Sequence, residues 1–499
     1  MKSCLVILTC IISSLLHGQN TDIPQKISQK GFVKGELFQI MVADTEVLGH
    51  SGVHSNIFLN QHWYMGAGFY GSLTGIRGGF ITFGTNVGYQ CNLTESIGID
   101  ASLHFGGGGG AGAPDGGGAY IVPQLSINRK ISHLILGLGY SYINFFDGGD
   151  IESDQWILSI SRPFSIDYAD FKFANSVLHK SDRQWDKIGK RIAYIATINN
   201  YYGLGTTYLN HIGDFKGNTI RLVGLEIDYV QHNNLVFIKS DGAYAGIPPG
   251  YMDLFLGIGK VVPVNVAKLI FKMSAGTGGG GGVDSQGGML LYPEISYDFA
   301  ITNQFGLSLK GGYITSPNFV FRAYNYGIGL KYMHYNGNKK NASEYLQQLK
   351  LKGYEVLMGQ EKYFGAERTY GGAFDLQQIY FQINYFINKH WYLGGKTGFA
   401  NFGNAGAYAE GLIGLGYSNH LSEKLILALQ IMNGAGGGGH IATGNGLVTK
   451  PSIALQYNVS KTLGLRTNCG YMLAPFGEVK NPFLNIGLSY RIALLNAND

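Results

Sequence analysis

Three histidines, His62, His232 and His390, recur along this 499-residue chain at intervals of 170 (232 − 62) and 158 (390 − 232). Histidine in a repeated place is a candidate metal ligand, proton carrier or base. Each of those roles needs partners, and no Asp, Glu or Cys recurs beside the three, so turn residues at an interface are the reading these positions favour. Ser126 and Ser296 recur with the same offset, but Ala454 occupies the third place and no serine–histidine spacing repeats. A nucleophile–base pair therefore has no support in the spacing. The long glycine runs invite a phosphate-loop reading, yet none is followed by the lysine and hydroxyl residue that such a loop carries into a helix. Paired carboxylates for hydrolysis are absent too. The residues assign no catalytic, cofactor-binding or metal-binding site, and imply no cofactor.

The glycine runs instead define the architecture. GGGGGAGAPDGGGAYIVP (Gly106 to Pro123), GTGGGGGVDSQGGMLLYP (Gly276 to Pro293) and GAGGGGHIATGNGLVTKP (Gly434 to Pro451) align without a gap. Their closing prolines keep the 170 and 158 offsets, and FLNQHWYMG (Phe58 to Gly66) returns as FINKHWYLG (Phe386 to Gly394). A long fixed period is one structural unit copied, here three times. The prolines mark bulges or strand starts, and the runs read as rim hairpins where backbones come close.

The chain opens with Lys2 and an apolar run from Cys4 to Leu16. That run is too short to span a bilayer as a helix and is placed as a secretory signal, residues 1–19, with cleavage near Gln19–Asn20. Cys4 and Cys10 leave with it, so Cys91 and Cys469 remain, at non-equivalent positions. A disulfide framework or thiolate metal site is not expected. With a net charge of +5 and no basic patch interleaved with aromatics, nucleic-acid binding is set aside. The chain has 76 Gly, 33 Tyr and 28 Phe but only 14% charged residues, and no later apolar stretch is long enough for a membrane helix. Few charges, many glycines and aromatics, and no helix for lipid point to a membrane-spanning β-barrel.

Unit 3 shows the strands most clearly, at 355–365, 377–387, 391–400, 407–417, 424–433, 447–458, 462–473 and 482–493. Apolar Pro451, Ile453, Leu455, Tyr457 and Val459 alternate with Ser452, Ala454, Gln456 and Asn458, as a tilted transmembrane strand requires. Lys396, Glu410, Arg466 and Arg491 fall on the inward face. Trp63, Tyr64, Trp391 and Tyr392 follow a short turn, where an interfacial aromatic girdle belongs. The expected layout is a signal peptide (1–19), unit 1 (20–164), a charged linker (165–191, ten charged side chains), unit 2 (192–336), a short helical linker (337–353) and unit 3 (354–499). The fold class is thus all-β, an antiparallel up-and-down transmembrane barrel of three eight-strand units. Small inward residues favour three small barrels, and one barrel of about 24 strands is the alternative.

The segments LGYSNHLSEKLILALQI (Leu415 to Ile431) and LQYNVSKTLGLRTNCGYM (Leu455 to Met472) resemble hairpins of small OmpA- or OmpX-like outer-membrane barrels. IGLKYMHY (Ile328 to Tyr335) and IGLSYRIAL (Ile486 to Leu494) resemble their closing strand, with Gly329/Gly487 and Tyr332/Tyr490 in matching places. Unit 1 has Ser159 and Arg162 there, and the chain ends on Asn496 to Asp499 rather than on an aromatic. The resemblance implies residence in the outer membrane of a Gram-negative bacterium, contact with its lipid, and insertion by the barrel-assembly machinery. Three functions stay open: a non-catalytic structural, adhesive or partner-binding role, with an extracellular ligand or protein meeting the glycine-rich rims; porin-like passive diffusion through one large barrel; and an enzyme modifying outer-membrane lipid.

Overall fold

A period-two pattern long enough to cross hydrocarbon leaves every strand with one apolar and one polar face, and only closure pairs all its backbone groups. The computed structural model meets that demand three times. It describes residues 24–42, 45–178, 190–204, 208–209, 213–265, 267–302, 304–336 and 349–497. Residues 1–19, read as a signal peptide, lie outside the described residues.

Barrel 1 comprises Ile27–Val42, Glu46–Phe58, Trp63–Thr74, Ile81–Asn92, Ile97–Gly109, Tyr120–Ile131, Leu134–Phe145 and Glu152–Asp170. Barrel 2 comprises Lys190–Gly203, Thr219–Gln231, Asn234–Ala245, Met252–Val264, Ala267–Gly279, Met289–Ala300, Phe305–Thr315 and Arg322–Asn336. Barrel 3 comprises Leu349–Glu367, Ala373–Phe386, Trp391–Phe402, Ala409–His420, Leu425–Gly437, Leu447–Asn458, Leu463–Leu473 and Lys480–Ala497. Each ring closes first strand on eighth: Gly35 opposite Ile160, Thr197 opposite Gly329, and Gly359 opposite Gly487. Three small barrels, not one large one, are what the register builds. The repeated prolines sit mid-strand, facing outward, and the ladder to the next strand is interrupted at each, because proline has no N–H to donate.

Two connections differ from the expected layout. The eighth strand of barrel 1 runs on through Ser165 to Asp170, within the segment read as a solvated linker, and pairs Tyr168–Asp170 with Ile492–Leu494 of barrel 3. Val177–Leu178 then adds to Leu349–Lys350. Residues 179–189 of that linker lie outside the described residues. The linker expected to be helical over 337–353 is strand from Leu349 onward, and its earlier part is outside the described residues. The physical reason is pairing and burial: Leu349–Gly353 has the closing strand beside it, and Leu351 packs with Ala169, Ala493 and Leu495.

The three barrels meet in a cycle. The third strand of barrel 1 packs on the fifth of barrel 2, the third of barrel 2 on the fifth of barrel 3, and the third of barrel 3 on the fifth of barrel 1. At the long-loop end these seams are made by the repeated glycine runs. A Cβ at Gly79 would fall 2.5 Å from the carbonyl carbon of Gly279, and one at Gly437 would fall 2.6 Å from the Gly250 nitrogen. Across the third seam, Gly107 lies against the Ala400 carbonyl and Gly406 N–H donates to the Gly116 carbonyl at 3.1 Å. Thr277 Oγ1 donates to the Ser72 carbonyl at 2.6 Å. Phe69, Phe83, Phe381 and Phe399 fill the seam between barrels 1 and 3 below the glycines. At the short-turn end, tyrosines take over: Tyr332 meets Tyr385 with hydroxyls 2.5 Å apart, and Tyr490 meets Tyr168 at 2.6 Å.

Gly107→Leu should therefore loosen the seam between barrels 1 and 3, costing about 1–3 kcal/mol as other overpacked contacts do. Gly395→Ala, with open space around it, should leave stability unchanged. Denaturant unfolding in lipid vesicles, followed by tryptophan fluorescence, checks both.

Candidate functional site

An eight-strand ring is just wide enough for side chains to fill, so whatever points inward must pack or pair. In barrel 3, Glu361 takes Lys396 and Lys450 on its two oxygens, and accepts Gln378 Nε2 at 2.7 Å and Asn485 Nδ2 at 2.8 Å. Glu410 stands 2.8 Å from Lys450 and accepts the Tyr363 hydroxyl at 2.8 Å. Nearer the short turns, Glu355 accepts Arg466 at 3.0 Å, with Arg491 Nε at 3.7 Å. All four charges expected inside, Lys396, Glu410, Arg466 and Arg491, are there and buried. Their partners Glu355, Glu361 and Lys450 were not singled out in the sequence, though each alternates in phase with an inward neighbour.

Barrel 2 repeats the scheme with other residues. Glu226 bridges Lys272 and Lys310, Lys239 lies 3.2 Å from Asp241 and 3.4 Å from Glu294, and Lys331 lies 2.6 Å from Asp298. In barrel 1, Lys34 is 2.8 Å from Glu36 and 3.5 Å from Asp100, while His54 Nε2 is 3.2 Å from Glu36. The charged layer is closed on both sides. Toward the long loops each lumen is filled by an apolar cluster, around Phe80 and Phe145, around Tyr251 and Phe321, and around Leu376 and Ile441. Toward the short turns lie Phe32, Phe58 and Tyr64 in barrel 1, and Leu235, Phe237 and Ile270 in barrel 2. In barrel 3, Phe386 and Tyr392 are joined by Phe171 from the segment after barrel 1, whose ring lies 3.6 Å from the Arg491 guanidinium.

Tyr64 and Tyr392 thus depart from the girdle expected of them. Both are fully buried in the lumen, where their hydroxyls reach Asp100 (2.7 Å) and Gln430 (3.2 Å). Trp63 and Trp391, one residue earlier and so on the opposite face, are exposed as girdle residues. The histidines are turn residues. His62 and His390 hold the carbonyls of Gln90 and Ser418 through Nδ1 at 3.0 Å and stack on Tyr89 and Tyr417. Asn60 and Asn388 cap the backbone N–H groups of these same turns. His232 is exposed with a left-handed backbone, φ +55°. Ser126, Ser296 and Ala454 are buried in separate lumens. Neither serine is hydrogen-bonded to a histidine among the described residues. Cys91 and Cys469 are free thiols.

The rim itself is a built surface. Gly110, Gly280 and Gly438, one per repeat, take φ of +120°, +93° and +95°, where a side chain would be strained. Within the first run, Asp115 Oδ2 accepts the Gly110 N–H at 2.6 Å, and a Cβ at Gly406 of barrel 3 would fall 2.9 Å from its other oxygen. Burial pushes the Asp115 carboxyl up to about 6, with the Gly110 N–H opposing.

No family model matches the chain, and no curated protein matches it. Among solved structures, similarity is found to a mutant ferric enterobactin receptor from Pseudomonas aeruginosa in complex with enterobactin, at 8% identity and TM-score 0.28, over 94% of this chain and 82% of that one. The outer membrane protein OpdK from the same organism matches at 9% identity and TM-score 0.24, over 94% and 99% of the two chains. OpdQ, also from Pseudomonas aeruginosa, matches at 10% and 0.22, over 93% and 98%. Closed antiparallel barrels, apolar outside and with a layer of paired charges within, are outer-membrane architecture, and that is where this exterior is stable.

Glu361→Gln should destabilise the chain by about 3–5 kcal/mol, because Lys396 and Lys450 are left buried with one carboxylate fewer. Adding Lys450→Met should recover part of the loss in denaturant titrations. At the rim, Asp115 holds its proton more tightly folded than unfolded, where its pKa is about 4. The seam between barrels 1 and 3 should be firmest below about pH 4 and lose no more than about 3 kcal/mol as pH rises through 6. Limited proteolysis of the outer loops across that range should show the dependence, and Asp115→Asn should abolish it.

Proposed function

We propose that this chain is a non-catalytic outer-membrane protein whose three sealed barrels carry a partner-binding rim on the outer side of the membrane. The observation behind it is the filling of each lumen. A layer of paired charges lies between two apolar layers, which supports lumens that no continuous wet path crosses among the described residues. Kinship of each unit with OmpA- or OmpX-like barrels belongs to the same reading, supported by eight strands with short turns at one end and longer loops at the other. So do contact with outer-membrane lipid and insertion by the barrel-assembly machinery.

A porin-like role is the second reading. One large barrel is not available for it, but the lumen of barrel 1 offers a smaller route. His50, Asn56, Asn86 and His104 there each keep a buried polar atom with no protein partner, and such atoms are ordinarily met by water. The apolar layer around Phe80 and Phe145 still stands across that route.

Conductance of the refolded chain in a planar bilayer separates the two. Protein shown to be folded by heat-modifiable gel mobility should give no steady current step. A large, reproducible step would overturn the sealed-barrel reading in favour of a channel.

A further inference from the structure

The seam between barrels 1 and 3 opens at the outer end into a cleft of about 400 Å³ that neither barrel forms alone. Asp147 comes from the loop joining the last two strands of barrel 1, and Arg368, Phe374, Asp375, Gly403 and Asn404 from outer loops and strand ends of barrel 3. We propose that this cleft binds a small zwitterion, a free amino acid or short peptide terminus with a bulky apolar side chain.

The Arg368 fork is already fixed: Nη1 donates to the Asn404 carbonyl at 2.7 Å and Nη2 to the Gly403 carbonyl. Its Nε–H is buried and has no partner among the described residues, while the guanidinium carbon lies 5.2 Å from the Phe374 ring. A fixed positive charge is thus held in the wall of the cleft, where it attracts an anionic group of a ligand. The two carboxylates differ in the same useful way. Asp375 is matched by Lys362 at 2.7 Å and by the Gly365 N–H at 3.0 Å. Asp147 accepts only the Gly403 N–H, at 3.3 Å, and no cation stands within ion-pair reach of it among the described residues. The exposed ring of Phe374 lines the same cleft and offers it an apolar face.

A ligand with only a carboxylate would face Asp147 unmatched, and one with only an ammonium would face Arg368. A molecule carrying both answers each charge and lays its apolar side chain on the ring. The volume suits a small molecule rather than a folded partner. The proposal rests on the outward-facing rim of the proposed function and not on the lumens being sealed. A failure of binding would leave the bilayer result untouched, and the reverse holds too.

The test is equilibrium dialysis of L-phenylalanine against the folded full chain in detergent. Saturable binding is expected, weakened about tenfold for N-acetyl-L-phenylalanine, which lacks the ammonium, and for L-phenylalaninamide, which lacks the carboxylate. Asp147→Asn, which keeps size and the Gly403 bond, should weaken L-phenylalanine by a similar factor, and Asp375→Asn should not. Absence of saturable binding, or equal binding of all three probes, would overturn the proposal. Should Asp147→Asn fail to fold, the comparison of probes on the unaltered chain decides it.

Discussion

A backbone N–H or C=O left unpaired in hydrocarbon costs several kcal/mol, so the pairing of first strand with last is the contact on which the rest of this molecule depends. Gly35 with Ile160, Thr197 with Gly329 and Gly359 with Gly487 stand for three such closures. Once a ring closes at eight strands, its bore is set, and inward side chains must occupy it. Charges placed there lose their water and have to be matched by one another. That is why Glu361 holds two lysines and why Glu226 does the same with an unrelated set of positions.

The lumens solve one packing problem by different residues, whereas the rims solve another by the same residue. At the outer end the barrels approach backbone to backbone, and only glycine permits distances at which a Cβ would overlap Gly279 or the Ala400 carbonyl. Repeating the run in every unit gives each barrel the same pair of mating edges, its third strand and its fifth. Head-to-tail contacts of that kind form a closed ring when the rotation fits, and three units close this one. A single chain supplies all three, with the last seam, between barrels 1 and 3, joining parts remote in sequence.

Much of the fold was legible because a transmembrane strand writes its environment into a two-residue period. The eight strands read in unit 3 match those found to within a few residues at most ends, and Ile453, Leu455 and Tyr457 face out while Ala454 and Gln456 face in. The inward placement of Lys396, Glu410, Arg466 and Arg491 follows from the same period. Tyr64 and Tyr392 misled because an aromatic after a short turn suits either face, and its phase relative to Trp63 or Trp391 decides which. The linkers misled for another reason: Ser165–Asp170 and Leu349–Gly353 become strand through partners far away in the chain, which local composition does not record.

By itself, the sequence determined three copies of an eight-strand meander, their lipid and lumen faces, and the turn role of His62 and His390. Those properties are local or periodic, and residues adjacent in the chain carry them. Tertiary structure alone decided that each copy closes on itself, which carboxylate meets which lysine, and that the glycine runs are seams rather than free loops. It also decided that Asp147 and Arg368, from barrels 1 and 3, share one cleft. Each of these depends on distances between residues separated by tens to hundreds of positions, and no spacing in the chain encodes a distance across a seam.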